Sequence, residues 1–107
     1  MDKTDRRKAR DAWKERKADW AIMAVRIGDG VWLKLVSDPA AFERRMGFTM
    51  RTGSAPLPDM AEAYHVVGTV EIELVERLDP ELSDMARDTE AEARMAHWKE
   101  VLGAKVF

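Results

Sequence analysis

The sequence predicts a small α+β domain, in which a three-stranded mixed sheet, one hairpin plus one further strand, is flanked by helices. Three observations predict it. Gly28-Asp29-Gly30 separates two short apolar runs, as a hairpin turn does. Residues 69–78 alternate apolar and charged side chains, the period of a half-buried strand. The other long segments carry apolar residues at helical spacing.

Residues 4–18 read as a helix capped by Thr4 or Asp5. Its seven basic residues, Arg6 to Lys17, outnumber Asp5, Asp11 and Glu15, and Trp13 is its one large apolar side chain. That describes a basic surface helix. We therefore divide one domain into a leading helix, 1–18, and a body, 19–107. Trp20 to Ile27 and Val31 to Val36 are the hairpin strands, with positive φ expected at the glycines between them. Ser37-Asp38-Pro39 supplies a cap and a first-turn proline for a helix over 39–51. Phe42, Met46 and Met50 stripe that helix toward the sheet, with Phe48 alongside.

Gly53 to Pro58 is a break, after which Asp59 is expected to cap a helix that runs to about Val66 and stops at Gly68. Its apolar side is Met60, Ala63 and Tyr64. Thr69 to Leu78 forms the third strand, with Val70, Ile72 and Leu74 covered and Glu71 and Glu73 wet. Asp79-Pro80 then starts a last helix to Leu102, striped by Leu82, Met85, Thr89, Glu92, Met95 and Trp98 and stopped by Gly103.

Composition excludes several chemistries. Without cysteine there is no disulfide, thiolate zinc site or cysteine nucleophile. The charged start does not read as a secretory signal, and no apolar run approaches the roughly 20 residues of a membrane span. The expected location is cytoplasmic, with no membrane partner. A net charge of -2 gives no general attraction to nucleic acid. The charge is uneven: residues 1–18 carry a net +4 and residues 79–100 a net -4, which suits packing in cis, pairing with a second copy, or simply two solvated faces.

The order hairpin, helix, helix, strand, helix resembles the GIY-YIG nuclease core. Ala21-Ile22-Met23 stands where that family has its first triplet, Trp32-Leu33-Lys34 where it has its second, and Arg45 where an arginine opens the next helix. A bacterial branch is similar over residues 8–102. It has a counterpart of Trp13-Lys14-Glu15, an Arg-x-x-Phe stretch ending in Gly-Ser-His-Pro, here Arg45 to Pro56, a strand like Ile72 to Leu78, and a counterpart of Met95 to Trp98.

For active members the resemblance implies hairpin tyrosines that help activate water, an arginine that steadies the phosphate and a glutamate that holds one divalent metal. Here the tyrosine positions are Met23, which moves no proton, and Trp32, whose indole only donates. Lys34 replaces a glycine, Ala55 replaces the histidine, and the chain contains neither Asn nor Gln. Only Arg45 remains. The expected protein is thus a non-catalytic, degenerate relative without a cofactor that binds a protein partner or its own copy. The alternatives are a metal-dependent DNA endonuclease, using magnesium with Arg45 and Glu90, Glu92 or Tyr64, and a DNA-binding accessory domain.

The nucleic-acid candidates are Lys34, Arg44, Arg45 and Arg51, whose charge suits phosphate contacts. Glu71, Glu73 and Glu76 are read first as the wet side of a strand, and second as carboxylates for a metal or acid–base work. His65 and His97 are read as ordinary histidines, because a zinc site needs more converging ligands. The methionines suit a pliable core or an adaptable groove. Trp13, Trp20, Trp32 and Trp98 are read as anchors in or near the core.

Overall fold

The structure is a computed structural model that describes residues 18–107; the basic leading helix expected before them, with Trp13, lies outside the described residues. The elements are β1 (Ala21–Ile27), β2 (Gly30–Val36), α1 (Pro39–Arg51), α2 (Pro58–Val67), β3 (Glu71–Arg77), α3 (Asp84–Leu102) and β4 (Lys105–Val106). They form one α+β domain with a mixed sheet of strand order β3-β1-β2-β4. β1 pairs antiparallel with both β2 and β3, while β4 joins β2 in parallel. The sheet therefore has four strands among the described residues and not three. The extra strand is two residues long and follows Gly103, which ends α3 at φ +60°. No helix among the described residues is long and apolar enough to cross a membrane.

The hairpin closes on the pair Ile27 and Gly30, leaving Gly28 and Asp29 as a two-residue turn. Gly28 has φ +58° and Asp29 has negative φ, the type II′ pattern that needs glycine first. Gly30 does not take positive φ, contrary to expectation, and it is needed for another reason. A Cβ there would overlap the six-membered ring of Trp32. Glycine thus lets the indole lie back along its own strand.

Alternation along β1 divides the core. Met23, Val25 and Ile27 point to one face with Trp32 and Val36, under Phe42, Met46 and Met50 of α1 and Met60 of α2. Ile22 and Ala24 point to the other face with Leu33 and Ala104, where Met95, Trp98 and Leu102 of α3 pack. Each fully buried side chain of this size contributes roughly 1.5–3 kcal/mol relative to exposure. The stripe of α1 is therefore as expected, except that Phe48 points outward and is 63% exposed. Met85 is likewise 81% exposed and takes no part in the stripe of α3.

Two helix starts differ from the sequence reading. α2 is capped by Leu57 with no side-chain hydrogen bond, and Asp59 lies inside the first turn. α3 begins at Asp84 with Ser83 Oγ accepting from Ala86 N at 3.2 Å. The preceding Asp79-Pro80 makes a turn instead, in which Glu81 N donates to Asp79 Oδ1 at 2.9 Å. β3 carries a bulge as well: Met23 pairs with Leu74 but Ile22 pairs with Glu76, so Val75 is extra. Val75 and Glu76 consequently both face α3.

Candidate functional site

The burial of Phe42, Met46 and Met50 fixes the rotation of α1, and the helical period then turns Arg44, Arg45, Phe48 and Arg51 toward solvent. Asp38 Oδ1 accepts from Ala41 N at 3.1 Å and holds the start of the helix. Arg44, Phe48 and Arg51 follow one another at spacings of four and three, so they share one side. Ala40, Glu43, Arg44, Gly47 and Arg51 line an open depression of about 600 Å³ on this helix. An added Cβ at Gly47 would stand 3.4 Å from an Arg51 guanidinium nitrogen. The glycine leaves room for that group to fold back along the helix.

The electrostatic setting sets these arginines apart. Arg26 pairs with Glu73 at 2.7 Å, Arg77 with Asp19 at 3.2 Å, Arg87 with Asp84 at 3.1 Å and Arg94 with Glu76 at 2.7 Å. Among the described residues, Arg44, Arg45 and Arg51 have no hydrogen-bond or ion-pair partner. Every other described arginine is neutralised inside the molecule, and the three of α1 face outward.

Lys34, the fourth nucleic-acid candidate, does not join them as a free cation. It sits half-buried on β2, donates to the main-chain oxygen of Phe107 at 3.4 Å and lies 5.1 Å from the centre of that ring. Met23 and Trp32 face the same side of the sheet, but both are sealed beneath α1 and α2, at 2% and 4% exposure. The Trp32 indole donates to Asp59 Oδ2 at 3.3 Å, and Lys105 Nζ binds the same oxygen at 2.6 Å. The Lys105 hydrogen bond is the main reason the Asp59 carboxyl titrates below its ordinary range, with Trp32 adding to it and burial opposing.

Glu90 and Glu92 are exposed on α3, which covers the opposite face from Met23 and Trp32. No group of three metal-ligating side chains occurs among the described residues. His97 is exposed with its ring edge-on to Trp98 at 5.1 Å, while His65 and Tyr64 border a cavity where α1 meets α2. Glu71 and Glu73 are on the wet side of β3 as expected, and Arg26 ties Glu73 down.

Sequence reasoning missed three participants. Phe48 stands two residues from both Met46 and Met50, a spacing that turns it to the far side of α1 from the stripe it was grouped with. The ties of Asp59 to Trp32 and Lys105 span up to 46 residues. Glu76 accepts from Arg94 Nε at 2.8 Å and from Trp98 Nε1 at 2.8 Å, an arrangement made by the bulge at Val75. The carboxyl of Glu76 is held below its ordinary range first by Arg94, with burial opposing and Trp98 adding, and the pKa of Arg94 is raised in return. Comparison with protein-family models, curated proteins and solved structures finds no match to this chain.

Proposed function

We propose that this chain is a non-catalytic, GIY-YIG-like binding module that holds nucleic acid by its phosphates through the outer side of α1. The carrying observation is the partition of arginines: four are ion-paired within the molecule, and Arg44, Arg45 and Arg51 are not. Unpaired guanidinium groups suit phosphate oxygens, since each offers a planar fork of donors and brings no internal carboxylate to displace. The exposed Phe48 between Arg44 and Arg51 adds a ring on which a base can stack. The burial of Met23 and Trp32 supports the non-catalytic part, because neither side chain reaches a bound phosphodiester from beneath two helices.

The test is fluorescence anisotropy with labelled single- and double-stranded DNA over a range of salt. Affinity should fall steeply with salt, and Arg44→Ala or Arg51→Ala should each lower the salt slope by about 1. Plasmid incubated with magnesium or manganese should stay intact. Absence of binding at low salt would sink the nucleic-acid reading. It would leave the second reading, a protein partner or a second copy on the same helix, which the exposed Phe48 favours and a sizing column would report.

A further inference from the structure

On its outer side α1 holds an aromatic ring in water between two exposed arginines. Phe48 is 63% exposed, and Phe42, Met46 and Met50 close the core beneath the helix without it. Helical geometry sets Phe48 about 6 Å along the axis from Arg44 and about 4.5 Å from Arg51. The Arg51 guanidinium comes nearer still. One of its nitrogens stands 3.4 Å from where a Cβ of Gly47 would be, so this charge is level with the residue next to Phe48. Ala40 and Gly47, with little or no side chain, line the open depression on the same helix, and Glu43 is the one carboxylate there.

Duplex and single strand ask different things of such a face. In a duplex the flat faces of the bases lie against one another, and an exposed ring reaches them only by prising a step apart. An unpaired base presents its face freely, and every base has one. Charge alone does little for a duplex here. Three arginines fall short of the roughly 6–10 phosphate contacts of a strongly salt-dependent duplex binder, and the chain has a net charge of -2. One base stacked on an aromatic ring is worth roughly tenfold in affinity, and only an unpaired base supplies that stack without disrupting a helix. We propose that the outer side of α1 selects single-stranded nucleic acid, with Phe48 taking the face of an unpaired base and Arg44 and Arg51 holding the phosphates that flank it. The proposal rests on the phosphate reading of α1 and adds the kind of strand. Phe48 is then the residue that sets specificity, and base identity is not read, because stacking accepts every base.

The experiment is fluorescence anisotropy at low salt with labelled probes of about 12 nucleotides: oligothymidine, a base-free strand with the same sugar-phosphate backbone, and a mixed-sequence duplex. Oligothymidine should bind about tenfold more tightly than the base-free strand, which carries the same charge. Phe48→Ala should remove that difference and leave the base-free strand and the duplex unchanged. The salt slope of Phe48→Ala should match that of the parent chain, because a lost stack releases no counterions. Phe48→Trp should keep the preference for oligothymidine. Equal binding of oligothymidine and the base-free strand, or a Phe48→Ala loss shared by all the probes, would overturn the strand selection and leave the phosphate reading standing. Binding of none of the probes would end both.

Discussion

The two faces of the sheet are closed by different means. Beneath α1 and α2, four methionines, Met23, Met46, Met50 and Met60, fill the space around Val25, Ile27 and Trp32. Beneath α3 the sheet offers Ile22, Ala24 and Leu33, with Ala104 beside them and Ala91 buried on the helix itself. Long flexible thioethers adapt to a neighbour that shifts, whereas alanines leave no slack. Each face also has a tryptophan whose indole donates to a carboxylate held by a cation. At Glu76 the cation is Arg94, gripping through two nitrogens with about a third of its side chain exposed. At Asp59 it is Lys105, two-thirds exposed, and the indole bond is longer. The α3 face is thus the tightly specified one and the methionine face the forgiving one, and the forgiving face lies under the proposed binding helix.

Four measurements would break or sharpen that contrast. Ala24→Leu should destabilise the domain most, by about 1–3 kcal/mol, because the α3 face has no room for added methylenes. Urea denaturation would measure it, and a neutral result would remove the idea of a rigid face. Glu76→Ala should cost about 1–2 kcal/mol, since Arg94 and Trp98 lose their shared acceptor. Met50→Leu should cost less than about 1 kcal/mol, because a near-isosteric change suits the pliable side. A loss equal to that of Ala24→Leu would erase the distinction between the faces. Asp59→Ala should have the smallest effect, given the exposure of its lysine partner.

Acid provides a second view of the same pair. Both carboxyls titrate below their ordinary values, 4.5 for Glu76 and 3.8 for Asp59. The stability they contribute is therefore complete above those values and lost as pH falls through the lowered folded ones. Thermal melts at neutral pH and well below pH 4.5 should show the Glu76→Ala deficit shrinking in acid. A deficit that stays constant would mean that packing, and not charge, holds this corner.

How much was legible depended on how local the cause was. The hairpin, the stripe of α1 and the glycine stops after α2 and α3 were legible, because each rests on residues within one or two turns of chain. The start of α3 was not, since Asp79-Pro80 and Ser83 both carry cap chemistry and only the turn at Glu81 decides between them. β4 was invisible because two residues have no period. The bulge at Val75 was hidden as well: strict alternation turns Glu76 away from α3, and only pairing with Ile22 turns it back. Of the candidate site, the arginines of α1 were named from sequence. That they alone among the described arginines lack a carboxylate depends on pairs up to 58 residues apart, beyond any local pattern.

The indole of Trp32 occupies the volume that a side chain at position 30 would need. The two positions are therefore bound to vary together: a bulkier residue at 30 demands a smaller ring at 32, and a smaller ring frees 30 from being glycine. In a selection library randomised at both sites, survivors with any residue other than glycine at 30 should almost all carry a smaller side chain at 32, whereas changes at 32 alone should be found with Gly30 kept.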